Sequence, residues 1–563
     1  MADPAASGWW MYHGDPAHSG EAPASDISAE NVSTLTLRHS ISVPGSILSV
    51  PAVVDGCVFV GLANTHEVAT QNGGQLLKVD LTSGETLARF TWSIPASERD
   101  SHGFCGMGVT PAVSGGRVVF TAFNGKLYCL SETDLALLWV TDLRYADAAH
   151  KQPVTNDFGS DPKAAGWSSP AIHGDRVYVG IGEGENPDVY GFVYCLDLSS
   201  GDVIWTFCTC QFEPGRPNRP NEVPFDTVAD VPGGFTAFGA RVLVKGASIW
   251  SSIAYDPELD QLYCATGNPN PDGRLPTPGY TNSVVVLRGA TGELLASVQI
   301  PAESSYRPSD IDVDIGGSPT LYELDGRKLV GIGCKNGAYM TFDARSFEIV
   351  AVRQLLPLHR DGSQVATVDP HGPDDPNAPS PVVPNEWSNE IDGENFSGTY
   401  STAAVCSRQG KLFIGVGGNN YHSISPGIDA TTTPFIRALD WSSLADAWPL
   451  DDGDPQRYAI AAEQRGHPLY RMAGESGLSV PAVANDVVFM ATTRVGLYAF
   501  SARDGTLLWS DTDNFGPQTG GMSGGYGYCM GPAIAGRYVV AGALTATANG
   551  GVLNIYALPG DAA

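Results

Sequence analysis

Pro170-Ala-Ile-His-Gly-Asp-Arg-Val-Tyr-Val179, followed by Val193-Tyr-Cys-Leu-Asp-Leu-Ser-Ser-Gly201 and then Trp205, decides the fold. The first run reads as two short strands about a polar His-Gly-Asp turn. The second reads as a strand, a Ser-Ser-Gly turn and an outer strand carrying Trp. Two such hairpins make one four-stranded antiparallel sheet, and the pair recurs along the chain. Its first half returns at Pro51-Ala-Val-Val-Asp-Gly-Cys-Val-Phe-Val60, Pro111-Ala-Val-Ser-Gly-Gly-Arg-Val-Val-Phe120 and Pro481-Ala-Val-Ala-Asn-Asp-Val-Val-Phe489. Its second half returns at Leu76-Leu-Lys-Val-Asp-Leu-Thr-Ser-Gly84, at Val284-Val-Val-Leu-Arg-Gly-Ala-Thr-Gly292 and at Ala338-Tyr-Met-Thr-Phe-Asp343. Two further copies lead to Trp: Leu127-Tyr-Cys-Leu-Ser-Glu-Thr-Asp134 to Trp139, and Leu497-Tyr-Ala-Phe-Ser-Ala-Arg-Asp-Gly505 to Trp509. One blade cannot bury both of its faces, but a closed ring of blades buries all of them. The expected fold is therefore all-β: an eight-bladed β-propeller of four-stranded antiparallel blades, one domain over 1–563 with insertions near 210–240, 355–395 and 420–470. A two-domain β-sandwich is the plain alternative. The repeated outer Trp favours blades, because it can fill the gap between neighbours.

Composition agrees. At 563 residues the chain implies two to four domains or one large repeat architecture. Its 66 glycines and 40 prolines suit many short strands better than long helices. With 42% hydrophobic and 17% charged residues it can bury a core. A net charge of −29 excludes sequence-independent nucleic-acid binding and docking on anionic lipid. No apolar run is long enough to span a membrane. Met1 to Trp10 lacks the basic and apolar regions of a secretory signal, so none is expected there. The ten cysteines include no Cys-x-x-Cys, which argues against a zinc site or a c-type haem attachment. Most are expected to be buried small apolar residues; Cys208 and Cys210, the one close pair, receive no role.

The most informative stretch for chemistry is Gly246-Ala-Ser-Ile-Trp250-Ser-Ser-Ile-Ala-Tyr-Asp-Pro, continuing to Thr266-Gly-Asn268-Pro. It resembles the pyrroloquinoline quinone (PQQ) dependent alcohol dehydrogenases, and most closely their polyvinyl-alcohol-dehydrogenase-like branch. The resemblance runs from Trp10-Met-Tyr-His-Gly-Asp-Pro-Ala-His18 to Tyr538-Val-Val-Ala-Gly542. It implies the following site. Trp250 lies flat under the quinone, a large π surface against a planar ring. Glu185, with Glu183 as runner-up in Gly180-Ile-Gly-Glu-Gly-Glu-Asn, joins Asn268 and Asp312 as oxygen ligands to Ca²⁺ or a lanthanide. Asp312, in Asp310-Ile-Asp312-Val-Asp314, is also the catalytic base; Asp314 matches an additional ligand of lanthanide-using members. Lys335, in Gly333-Cys-Lys-Asn-Gly337, hydrogen-bonds the quinone oxygens, and Asn395 contacts the cofactor. Ser168 and Ser169 offer hydroxyls to the quinone's carboxylates.

Several positions depart from the methanol- and ethanol-oxidising pattern. Where that pattern has adjacent cysteines, His102-Gly-Phe-Cys105-Gly holds one, so a vicinal disulfide cannot form; Cys105 is kept as a cofactor-site residue. Thr110 stands for an Arg that grips a quinone carboxylate, and Leu48 for a Glu. The loop Arg274-Leu-Pro-Thr-Pro-Gly-Tyr280 reads as short, which points to an open mouth and a larger or secondary alcohol. By resemblance the protein is periplasmic or secreted. Electrons pass to cytochrome c or another separate acceptor, and the acidic surface would steer a basic cytochrome. Two other readings stand beside this one: a non-catalytic propeller scaffold, and a propeller enzyme that has lost the quinone.

Overall fold

The computed structural model describes residues 8–64, 73–95, 105–144, 165–182, 191–209, 237–238, 241–242, 247–267, 280–299, 315–334, 338–355, 397–398, 401–418, 436–448, 479–491, 496–511, 530–544 and 550–560. They form an eight-bladed β-propeller. Blade 1 opens with the innermost strand Ala52–Val54, blade 2 with Ala112–Ser114, blade 3 with Ala171–His173 and blade 4 with Ala254–Asp256. Blades 5 to 8 open with Thr320–Leu324, Ala404–Cys406, Ala482–Ala484 and Pro532–Ala535. Seven blades have four antiparallel strands. Blade 6 has three, with the Leu439↔Asp446 bridge in the outer position. The 237–238 and 241–242 pair and the 397–398 and 417–418 pair lie outside the blades, and the expected insertions fall mainly outside the described residues.

The ring is closed by the chain's beginning. Thr36–Val43 is the outermost strand of blade 8 and pairs with Gly551–Ala557 from the far end. The second and third strands of each blade are covered on both faces; Arg176–Ile181, for example, is buried beyond its first residue. Apolar clusters therefore lie between sheets rather than on one face of each. Tyr178 and Cys195 of blade 3 pack with Leu262 and Val285 of blade 4 in this way.

The outer-strand tryptophans join neighbouring blades, as their repetition implied. Trp139 donates Nε1–H to Leu198 O, Trp205 to Gly289 O, Trp448 to Ala502 O and Trp509 to Leu35 O, at 3.0–3.2 Å. Each indole thus fills the inter-blade gap and satisfies a turn carbonyl. Of the eight described cysteines seven are buried and Cys57 partly so, and no disulfide links them.

The segment before the first blade has a role that its sequence did not disclose. Innermost strands are sheet edges, and their inward N–H groups need partners. Residues 9–22 supply them. Val53 N donates to Trp9 O and Val113 N to Trp10 O, both at 2.7 Å. Tyr255 N donates to Pro16 O, Leu321 N to Ala17 O, Val405 N to Ser19 O and Val483 N to Gly20 O, at 2.7–2.8 Å. One short segment thereby floors the channel against blades 1, 2, 4, 5, 6 and 7. His18, fully buried in it, lies 3.0 Å through Nδ1 from Pro319 O. Burial and the neighbouring His13 push its pKa down to about 3, so it is neutral in the fold.

Candidate active site

A belt of hydroxyls crosses the channel above this floor. Each belt residue sits two positions before the first residue of an innermost strand, or three before the strand residue that meets the floor. At about 3.3 Å per residue the belt lies about 10 Å from the floor. Thr110 N donates to Ser169 Oγ at 3.0 Å, Ser169 N to Ser252 Oγ at 3.2 Å, Ser252 N to Ser318 Oγ at 2.9 Å and Ser318 N to Thr402 Oγ1 at 3.1 Å. Tyr12, rising from the floor, shares a 2.8 Å hydrogen bond with Thr402 Oγ1. Small hydroxyl residues suit this place: the side chains of Ser169, Ser252, Ser318 and Thr402 each accept from the preceding blade without filling the channel. The equivalent positions of blades 7, 8 and 1 are Val480, Gly531 and Val50, so the belt is an arc over blades 2 to 6.

Two of the expected cofactor residues, Thr110 and Ser169, belong to this arc. Ser252, Ser318 and Thr402 complete it and were missed. Their signal was present as a small hydroxyl residue two before the strand, but it becomes visible only once the strands are aligned. Ser168 is fully buried. Its Oγ accepts from Gly180 N at 3.3 Å, and its carbonyl accepts from Thr121 Oγ1 at 2.8 Å. Ser168 and Ser169 accept backbone protons in these contacts, which leaves each hydroxyl proton available for donation. Thr110 Oγ1 is buried without a hydrogen-bond partner among the described residues. A buried hydroxyl in that state is costly unless something else engages it. Cys105 is buried in the short strand Cys105–Gly106, which pairs with Ala63 and Asn64.

Trp250 precedes the arc by two residues and is partly exposed, whereas Ala247, Ser248, Ile249, Ser251 and Ser252 around it are buried. Glu183, Glu185, Asn268, Asp312, Asp314, Lys335 and Asn395 lie outside the described residues. Their flanking residues are described, and those from blades 3 to 5 converge. A methyl group built on Gly182, before Glu183 and Glu185, would meet Ser248 Cβ at 2.4 Å. Gly267, before Asn268, donates N–H to Ser248 O at 2.8 Å. Ile315, directly after Asp314, donates to Thr266 O at 3.4 Å, and Gly317 donates to Gly333 O, two residues before Lys335, at 3.3 Å. All of these stems meet at the end of the channel opposite the floor.

The departure at Leu48 has a structural account. Leu48 packs against the cluster of Ala63, Phe123 and Ala165, as does Trp167, and the Phe123 and Trp167 rings lie 4.6 Å apart. A carboxylate at residue 48 would be set among aromatic and methyl groups with no cation supplied by Thr110.

The fold defines a propeller of the quinoprotein kind. A europium-containing methanol dehydrogenase superimposes with a TM-score of 0.68 at 16% identity, over 98% of both chains. The quinohemoprotein alcohol dehydrogenase of Comamonas testosteroni does so at 0.65 and 16%, over 99% of this chain and 81% of that one. The chain belongs to the PQQ-dependent alcohol dehydrogenase family: the family model described as "Glucose/ethanol/alcohol dehydrogenase, beta-propeller domain" matches residues 9–348. A second model, described as outer membrane protein assembly factor BamB, matches residues 451–555, which hold blade 7 and most of blade 8. By sequence the chain is 25% identical to quinohemoprotein alcohol dehydrogenase ADH IIB of Pseudomonas putida, over 90% of this chain and 70% of that one. It is 23% identical to the 1-butanol dehydrogenase (cytochrome c) of Thauera butanivorans, over 90% and 71%. It spans 58% of the dehydrogenase subunit of a Komagataeibacter europaeus alcohol dehydrogenase (quinone).

Proposed function

We propose that the protein oxidises an alcohol with metal-bound PQQ held at the unfloored mouth, and passes the electrons to a separate acceptor such as cytochrome c. The observation that carries this is the linkage of the stems of the Glu185, Asn268, Asp312 and Lys335 loops: Gly182 and Gly267 meet Ser248, Ile315 meets Thr266 beside them, and Gly317 meets Gly333. The donor chemistry fits the cofactor. Trp250 offers a π face, and the unpartnered Thr110 hydroxyl with those of Ser168 and Ser169 offers protons to carboxylates. Cys105 is kept as a further cofactor-site residue. When bound, the quinone supplies a two-electron acceptor, and Ca²⁺ or a lanthanide supplies a Lewis acid. Glu185, Asn268, Asp312 and Asp314 are hard oxygen ligands suited to either ion. Asp312 takes the alcohol's hydroxyl proton. Lys335 places a cation where negative charge develops, and Asn395 orients by hydrogen bonding. The floor at residues 9–22 closes the channel from the other end. The net charge of −29 favours a basic cytochrome at low salt, and a periplasmic or secreted location goes with that partner. No helix among the described residues is long and apolar enough to cross a membrane.

The test is reconstitution of purified apo-protein with PQQ plus Ca²⁺, and in parallel PQQ plus La³⁺, followed by dye reduction with an alcohol panel. Activity that needs both quinone and metal is expected. A better response to La³⁺ would assign Asp314 as a ligand. No quinone binding with either ion would overturn the reading in favour of a propeller that has lost the cofactor.

A further inference from the structure

Blade 4 carries a carboxamide that its own fold does not use. The innermost strand Ala254–Asp256 runs from the arc at Ser252 to the floor at Tyr255, so its antiparallel partner Gln261–Ala265 runs back toward the mouth. There Ser251 Oγ donates to Ala265 O at 3.1 Å. The next strand, Ser283–Arg288, pairs Val284 with Ala265. Beyond that pair Thr266 N donates to Ser283 O at 3.0 Å, and Asn282 N donates to Gly267 O at 3.2 Å. Asn282 therefore stands on the mouth side of the arc. Its backbone is bonded to the residue that directly precedes Asn268 in the sequence, and Gly267 is itself held by its N–H to Ser248 O at 2.8 Å.

Asn282 is 1% exposed, and its Oδ1 and Nδ2 are both buried without a hydrogen-bond partner among the described residues. Its φ is +50°. Asn tolerates that left-handed conformation, but Gly would adopt it without burying an amide. The side chain does not serve the neighbouring backbone either. Thr281 O accepts from Ser283 Oγ at 2.7 Å and from Gln299 Nε2 at 3.3 Å. Ser283 O accepts from Thr266 N and Oγ1, both at 3.0 Å. Asn485 is the contrast: with φ at +56°, its Nδ2 donates to Ser25 O and Ile27 O at 2.8 and 2.7 Å. The same residue type in the same conformation is tied to the fold there and untied here.

We infer that Asn282 is a positioning residue of the metal centre, and that its carboxamide engages that of Asn268 when the ion binds. This rests on the dehydrogenase reading above. A carboxamide ligates a hard cation through Oδ1, which leaves its Nδ2–H groups in need of an acceptor. Asn282 offers an acceptor in Oδ1 and a donor in Nδ2 beside the stem of that loop. A group that fixes the orientation of a metal ligand from behind is worth about 10–100-fold in metal affinity. That gain offsets the destabilisation of keeping an unpartnered amide buried in the metal-free protein.

Two readouts test it. The first is Tb³⁺ binding to the purified protein, followed as the luminescence that depends on added PQQ, so that ions on the acidic surface do not count. The second is the melting temperature of the metal-free protein. Asn282→Gly keeps the left-handed backbone and removes the carboxamide. Its Tb³⁺ Kd should rise about tenfold or more, while its melting temperature stays the same or rises, because a buried unpartnered amide is gone. A role in the fold alone predicts the opposite pair: a lowered melting temperature and an unchanged Kd. In an Asn268→Ala background, Asn282→Gly should weaken Tb³⁺ binding little further, because the two residues act as one unit. An unchanged Kd in Asn282→Gly, or a failure of that variant to fold, would overturn the inference; the dehydrogenase reading would still stand if the unsubstituted protein oxidises alcohols with PQQ and metal. A full additional loss in the Asn268→Ala background would overturn the route through Asn268. Absence of PQQ and Tb³⁺ binding in the unsubstituted protein would overturn the dehydrogenase reading, and the inference with it.

Discussion

Asp312→Asn is expected to reduce alcohol oxidation on the order of 10³-fold or more and to leave the propeller intact. A positioned general base contributes about 10²–10⁴-fold, and here the same carboxylate also belongs to the metal's ligand set. Asn keeps the volume and one oxygen but cannot take a proton at working pH. The fold should not respond. The blade 5 strand that follows begins at Thr320 and is tied to the ring through Ser318 N to Thr402 Oγ1 and Leu321 N to Ala17 O. The measurement is turnover with saturating PQQ and metal, beside a quinone-binding titration and a thermal melt. Near-normal turnover would remove Asp312 from the chemistry and send the search to Asp310 and Asp314. Lost turnover with a lowered melting temperature would show a folding defect instead.

Substitution of the channel floor should have the largest effect on stability. Gly20 adopts a φ of +61°, and a methyl group there would lie 2.5 Å from the His13 ring and 2.9 Å from Ala404 Cβ. Its carbonyl accepts from Val483 N at 2.7 Å, so the residue cannot move without unpairing blade 7. A left-handed backbone costs an ordinary residue about 1–2 kcal/mol, and overpacking costs about 1–3 kcal/mol more. Gly20→Ala is therefore expected to destabilise the protein by about 2–5 kcal/mol. The readout is the urea midpoint, or the unfolding rate if unfolding is irreversible. An unchanged midpoint would mean that the floor contributes little to closing the ring.

Acid should act on the same element. His18 has an ordinary pKa of 6.5 and a folded value of about 3. Between those values the unfolded chain binds a proton that the folded chain does not. The stability due to neutral His18 is complete above pH 6.5 and is lost as pH falls toward 3. His18→Gln should flatten that part of the stability profile. A profile as steep as the unsubstituted protein's would place the acid sensitivity elsewhere.

The blades were legible because their signals are local. A Pro-Ala start, a polar turn, a buried strand, an Asp- or Gly-containing turn and an outer Trp each follow from the backbone and side chains of a few consecutive residues. Repetition then implied closure, since an isolated blade would expose both apolar faces. Of the expected site residues, Thr110 and Ser169 fall in the hydroxyl arc and Trp250 lies two positions before Ser252 of that arc.

What only the tertiary structure decided are relations between residues far apart in sequence. Thr36–Val43 completes blade 8, and residues 9–22 floor the channel, because edge strands must find partners and the chain's beginning is what lies there. Thr110, Ser169, Ser252, Ser318 and Thr402 form one arc, although 292 positions separate the first from the last. Leu48, an apparent loss when read alone, packs against the apolar cluster of Ala63, Phe123 and Ala165. The sequence by itself determined the repeating unit and the residue types at the mouth. The ring brings the hydroxyl arc and the described stems of blades 3 to 5 together, because each blade repeats the same geometry around a common axis.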